Sequence, residues 1–207
     1  MKRSSEYDAI VVDLDGTLYF QKPVRIAMAT EAILRPWRAR DLAVVWKYRK
    51  LLEREVPEEE RLHLLPPNAP AVVREWLVER PLRLVARFED ETLVDMLRET
   101  SESGTTVIVY SDHPVEEKLK ALNFALDFAL RSEDVGLPKP NADGLKAFLS
   151  ERGIDPKRCL VIGDRFEKDG KLAENMGADS LILPKGKGKR RKAYGKLRET
   201  IERGNSP

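Results

Sequence analysis

Asp13 and Asp15 stand two residues apart in the run Asp13-Leu14-Asp15-Gly16-Thr17-Leu18. On an extended backbone, side chains two apart project the same way. One carboxylate of such a pair can attack phosphorus and form an aspartyl-phosphate while the other handles the proton. Gly16 lets the backbone leave a strand sharply, and Thr17 adds a hydroxyl. Two strand-end aspartates also suit plain turn chemistry, so the pair needs support from elsewhere in the chain. Phosphoryl transfer also asks for hydrogen-bond donors and positive charge around the transferring oxygens. Ser111 offers a hydroxyl, and Lys139, within Gly136-Leu137-Pro138-Lys139-Pro140, offers a cation on a loop stiffened by prolines. Asp164 and Asp169, in Gly163-Asp164-Arg165-Phe166-Glu167-Lys168-Asp169, add carboxylates for a hard cation. Magnesium takes few carboxylates plus phosphate oxygens and water, which suits Asp13, Asp15 and Asp164 around one ion. Asp169 also reads as an N-cap for a helix over 170–176.

These residues need elements to present them. Tyr7–Val12 is a short β-branched run that empties into the Asp13 loop, and Thr105–Tyr110 precedes Ser111-Asp112 in the same way. Cys159–Ile162 precedes Gly163-Asp164; Ser180–Leu183 and Leu126–Leu130 are further candidate strands. Between them Leu93, Val94 and Leu97, then Val115, Leu119 and Leu122, then Leu145, Phe148 and Leu149 repeat at helical spacing. Asn141 is placed to cap the third of these helices and Gly153 to stop it. Alternating strands and helices imply an α/β fold with a doubly wound parallel sheet. Ligands in such sheets bind beyond the carboxyl ends of the strands, where all the residues named above would gather.

The interval 23–88 breaks the rhythm: helical stretches at Val24–Leu34, Asp41–Leu52 and Ala69–Glu79, punctuated by Pro36, Pro57, Pro66, Pro67, Pro70 and Pro81. It holds Trp37, Trp46 and Trp76, and basic residues at Arg35, Arg38, Arg40, Lys47, Arg49 and Lys50. It reads as a helical insertion between a core of 1–22 and 89–207, expected to close over the strand ends and read the leaving group. Its aromatic residues fit either the packing of a thin bundle or an anionic or aromatic leaving group. The tail 185–207 opens with a basic stretch, Lys185 to Arg198, holding Lys185, Lys187, Lys189, Arg190, Arg191, Lys192, Lys196 and Arg198 and no acid. Both a solvated tail, helical at Ala193–Glu202, and contact with nucleic acid fit that composition.

As a set, the Asp13–Leu18 run, Ser111, Lys139 in its Lys-Pro loop, and Gly163-Asp164 with Asp169 five residues on resemble the motifs of the haloacid dehalogenase superfamily. The insertion stands where that superfamily's type 1 cap stands, in its subfamily I. The resemblance implies roles. Asp13 is the nucleophile and a metal ligand, and Asp15 the general acid/base with its backbone carbonyl on Mg2+. Ser111 holds the phosphoryl group, Lys139 neutralises charge beside it, and Asp164 ligates the metal. Asp169 ligates through water or steers Lys139. Gly16, Thr17 and the backbone of Asp112 fall on the substrate side. Dehalogenases of the superfamily lack an acid at the place of Asp15, because halide leaves without a proton, so Asp15 favours phosphate chemistry. Asp112 stands where many relatives carry Asn, and its side chain is expected to turn away from the phosphate.

With 37 Lys and Arg against 35 Asp and Glu, the net charge of +2 implies no polyanionic partner by itself. The lone cysteine, Cys159, reads as a buried strand residue in a reducing compartment. The start Met1–Glu6 lacks a signal-peptide pattern and no apolar run is long enough to span a bilayer, so a cytoplasmic monomer or homodimer is expected. The expected activity is magnesium-dependent hydrolysis of a small phosphorylated metabolite. A phosphomutase or phosphotransferase of the same superfamily, and a non-catalytic nucleic-acid-binding module, are the competing readings.

Overall fold

The first apolar run forms strand β1 (Ala9–Val12), and every one of its residues is buried. A computed structural model of the chain describes residues 7–53, 60, 63–124 and 126–203; Met1–Glu6 and Pro57, named above, lie outside the described residues. β2 (Thr106–Ser111), β3 (Phe128–Arg131), β4 (Cys159–Gly163) and β5 (Asp179–Ile182) complete a five-stranded sheet in the order β3-β2-β1-β4-β5, with every pairing parallel. The chain fills one side of β1 first and then crosses to the other. β1 is therefore the switch point, and the residues that follow it and its neighbours β2 and β4 converge. Val12 pairs with Val109 and Ile162, which sets Asp13 level with the ends of both flanking strands.

A parallel sheet covered on both faces needs apolar residues at odd and even positions alike, which explains the unbroken β-branched runs. Ala9, Val11, Ile108, Tyr110, Cys159 and Val161 pack with Leu145 and Leu149 of one helix (Asp143–Ser150) and with Leu172, Ala173 and Met176 of another (Lys171–Met176). The other alternation, Ile10, Val12, Val107, Val109, Leu160 and Ile162, is equally buried. On the β2 side lies a helix (Glu91–Glu102) that buries Leu93, Val94, Met96 and Leu97, and the C-terminal helix (Arg191–Arg203) packs in turn on that one. Buried among apolar neighbours, the Cys159 thiol has its pKa pushed up to about 12 and is no nucleophile.

Among the described residues the chain divides into two compact units, one of residues 7–21 with 89–203 and the other Lys22–Phe88. The second unit is helical: Gln21–Leu34 leads into it, followed by Ala39–Glu53, Ala69–Arg74 and Arg80–Val85. The last two are joined by a π turn, Glu75–Glu79, so the helix runs on through Pro81 where a break was expected. Pro81 has no N–H to donate, and the widened turn before it relieves the lost bond. Leu51, Leu65 and Ala69 form its small core with Val44 and Tyr48. Trp76 is buried, its indole N–H reaching Asp41 at 3.4 Å and the Arg80 guanidinium lying 4.3 Å from its ring. Trp37 and Trp46 are exposed, so packing of the bundle accounts for one tryptophan and not for all three.

Two of three capping expectations are corrected. Ala142, not Asn141, is the N-cap of Asp143–Ser150; the Asn141 side chain instead accepts from the Asp143 N–H at 3.0 Å. Gly153 does stop that helix: with φ of 69° it donates its N–H to the Ser150 carbonyl at 3.0 Å, and the Ile154 N–H donates to the Leu149 carbonyl at 3.0 Å. Asp169 caps no helix: it lies inside a π turn, Phe166–Gly170, and the helix that follows has Gly170 at its N-cap without a side-chain bond.

Candidate active site

β1 delivers Asp13 to the carboxyl end of the central strand, where its N–H still donates to the Ile162 carbonyl of β4 at 2.8 Å. The chain then turns: the Leu14 carbonyl accepts from Thr17 N–H (3.3 Å) and Leu18 N–H (3.1 Å). Gly16 takes φ of 95°, and a Cβ there would sit 2.6 Å from Asp164 Oδ2. No other residue fits both the dihedral and the space. The turn folds Thr17 back so that its hydroxyl donates to Asp13 Oδ2 at 2.9 Å.

Lys139 enters from the loop after β3. Its ammonium donates to Asp13 Oδ1 at 2.7 Å and to Asp169 Oδ1 at 2.8 Å, with the side chain nearly fully buried. Two carboxylates hold its proton against the opposing effect of burial, and its pKa is raised. Asp169 is fixed in turn by the Arg165 N–H, which donates to Oδ2 at 3.2 Å, and by its seat against Gly163, where a Cβ would overlap its carboxyl carbon at 2.2 Å. Asp13, Asp164 and Asp169 each offer an oxygen within 4.8 Å of the others. Burial, then the charge of Asp169, pushes the Asp13 pKa up against the pull of Lys139. Burial likewise raises Asp164.

Three carboxylates face one buried ammonium here, and the guanidinium beside Asp164 is partly exposed, so the cluster carries negative charge in excess. Asp164 Oδ1 is buried and makes no hydrogen bond; the nearest cation, Arg165 Nε, is 3.6 Å away. A buried oxygen without a donor, in a group of hard carboxylates with net negative charge, fits a small divalent cation.

Asp15 has partners of its own. Lys118, on the short helix Glu116–Ala121, donates to both its oxygens at 2.5 and 2.8 Å, and the Tyr19 hydroxyl donates to Oδ1 as well. Ser111 closes β2 fully buried, its Oγ accepting from the His113 N–H at 3.1 Å. The His113 side chain is exposed. The Asp112 carboxylate accepts the Lys139 N–H at 3.0 Å and an ion pair from Lys168. Burial works to raise its pKa, but the Lys168 bond and then the Lys139 N–H bring it below the usual carboxylate value. Asp112 thus ties the Lys139 loop to the end of β2.

The structure brings Asp13, Thr17, Lys139, Asp164 and Asp169 into one connected cluster, while Asp15 carries a separate partner set. Lys118, Tyr19 and Lys168 were not singled out from the sequence. Lys118 sits in a helix pattern between Val115 and Leu119, and a lysine on a helix first turn carries no local mark of its target. Arg190, read as part of a basic tail, is buried and reaches the carbonyls of Gly16 and Thr17. The solvated-tail reading is corrected there and at Leu197, which is also buried.

The family model for haloacid dehalogenase-like hydrolases matches residues 7–177. The chain belongs to the haloacid dehalogenase-like hydrolases. A 61-residue stretch is 34% identical to a glyceraldehyde 3-phosphate phosphatase of Methanocaldococcus jannaschii, covering 30% of this chain and 27% of that protein. The chain thus matches about a quarter of that relative's length. This hydrolase is similar in structure to a 2-haloacid dehalogenase from Pseudomonas syringae pv. Tomato, with a TM-score of 0.66, 20% identity and coverage of 94% and 98% of the two chains. A haloacid dehalogenase family hydrolase from Deinococcus radiodurans, solved with bound phosphate and sodium, gives 0.61 at 19% identity over 97% of each chain. CbbY from Rhodobacter sphaeroides, solved with phosphate, gives 0.58 at 20% identity over 95% and 99%. At these identities the likeness of structure speaks for the fold.

Proposed function

We propose that this hydrolase is a magnesium-dependent phosphatase of small phosphate monoesters, with Asp13 as nucleophile. The observation that carries the reading is Asp13 held between the Lys139 ammonium and the Thr17 hydroxyl, within reach of Asp164 and Asp169. The likeness to a glyceraldehyde 3-phosphate phosphatase agrees with it. Asp15 argues for a phosphate ester over a carbon–halogen bond, because an alkoxide leaving group needs a proton and a halide does not.

In the first step an Asp13 oxygen attacks phosphorus, the bond from phosphorus to the ester oxygen breaks, and Asp15 gives that oxygen a proton. In the second, Asp15 takes a proton from water, whose oxygen attacks the aspartyl-phosphate and releases inorganic phosphate, restoring Asp13. Lys139 and Ser111 meet the phosphoryl oxygens. Asp13 and Asp164 would hold magnesium, with the Asp15 carbonyl and with Asp169 behind them. When bound, the ion supplies positive charge to the transferring oxygens and relieves the repulsion among the carboxylates.

Hydrolysis of 4-nitrophenyl phosphate tests the reading. Turnover should require Mg2+, stop with EDTA, and fall by about 10³-fold or more in Asp13→Asn. Undiminished turnover by that variant sinks the mechanism, and release of chloride from 2-chloropropionate without phosphatase activity would reassign the chemistry.

A further inference from the structure

Arg190 comes from the most basic stretch of the chain, and its neighbours Lys185, Lys187, Lys189, Arg191, Lys192, Lys196 and Arg198 are exposed. Arg190 itself is 1% exposed. A guanidinium taken out of water must find acceptors for its N–H groups and a counter-charge. It finds them on three parts of the chain. Nε donates to the Pro184 carbonyl at 3.1 Å; Nη1 donates to the Thr17 carbonyl at 2.8 Å and to Asp90 Oδ2 at 2.6 Å. Nη2 donates to the Gly16 carbonyl, and the group lies 4.7 Å from the Phe20 ring. Asp90 is fixed by the Tyr194 hydroxyl, which donates to the same oxygen, and its own N–H donates to the Leu18 carbonyl at 2.9 Å.

Two of these acceptors are the peptide carbonyls of the turn after Asp15. That turn does two things for the site: Gly16 runs its backbone against Asp164, and Thr17 aims its hydroxyl at Asp13 Oδ2. We propose that Arg190 is a positioning residue for the nucleophile, holding the Gly16–Thr17 turn through both carbonyls. The turn that leads into the C-terminal helix then helps to hold the site. The inference rests on Asp13 being the nucleophile. Only a planar fork reaches three carbonyls and a carboxylate in different directions; an ammonium is a single point.

The test uses the full chain, 4-nitrophenyl phosphate with Mg2+, and beryllofluoride, whose fluorine resonances report an adduct on Asp13. Arg190→Met should melt cooperatively, with kcat down about a hundredfold, KM near the wild-type value and the adduct weakened. Arg190→Lys keeps the charge and most of the packing; its kcat should still be down about tenfold. Folded variants with wild-type kcat and adduct overturn the inference while the phosphatase reading stands. Failure of both variants to fold makes Arg190 architectural and overturns it too. No turnover and no adduct in the wild type removes the reading of Asp13, and the inference falls with it.

Discussion

At the scale of single residues, the two aspartates that open the motif live in different surroundings. Asp13 is sandwiched between an ammonium and a hydroxyl on a buried floor, which leaves its carboxylate one orientation. Asp15 is gripped at both oxygens by Lys118 and touched by Tyr19. A group that donates and accepts a proton must be aimed at the oxygen it serves, and general acid–base catalysis contributes about 10²–10⁴-fold. Lys118→Met leaves Asp15 free to rotate, so kcat on 4-nitrophenyl phosphate should fall by about tenfold or more with KM little changed. A variant with unaltered kcat would show that the pairing does not matter to turnover. Lys118 was invisible as a site residue in the sequence because its target lies 103 residues away.

At the scale of elements, the Gly16 turn and the helix beneath the sheet meet different demands. Adding a methyl at Gly16 strains a φ of 95° and drives a carbon against Asp164. Gly16→Ala should cost about 1–3 kcal/mol in urea unfolding and weaken Mg2+ binding by calorimetry; unchanged values for both would exclude this packing. Helix Asp143–Ser150 has no catalytic residue, but Leu145 and Leu149 are fully buried on the sheet face of β4 and β2. Leu145→Ala should lower stability by about 2–5 kcal/mol while the kcat of the folded protein holds. A cost under about 0.5 kcal/mol, the level of a surface change, would contradict the burial. These elements were legible from apolar periodicity. Their ends were less so: Asn141 and Asp169 have the chemistry of caps, yet one closes a local side-chain turn and the other is drawn inward by Lys139. A tertiary ion pair outweighs a local cap.

For the molecule as a whole, the excess of negative charge in the Asp13 cluster sets a dependence on pH and metal. Asp13 and Asp164 hold their protons to higher pH than ordinary carboxylates, burial being the largest cause for each. Above about pH 4 the folded metal-free protein thus binds more protons at these groups than the unfolded chain does. Their contribution to stability is fully present below the ordinary carboxylate range and is lost as pH rises through the raised folded values. In EDTA, Asp164→Asn should therefore gain in Tm relative to the wild type between pH 5 and 7.5. Magnesium at a hundred times its Kd should stabilise the wild type by about 2.7 kcal/mol at pH 7.5 and the variant far less. A wild-type Tm indifferent to magnesium at pH 7.5 would remove the cation from this cluster.

The alternation of strands and helices and the gathering of Asp13, Ser111 and Asp164 beyond the carboxyl ends of the strands were determined by the sequence, since period-two and period-3.6 patterns are local and each of these strands ends in its own polar residue. The family resemblance supplied the roles of those residues. What only the tertiary structure decided was pairing. Lys118 reaches Asp15, Lys168 reaches Asp112, and Arg190 leaves its basic neighbours for the Gly16–Thr17 carbonyls. A basic side chain looks the same in sequence whether it meets water or a carbonyl. The choice is made by which buried acceptors the fold leaves without a donor, and that is a property of the assembled molecule.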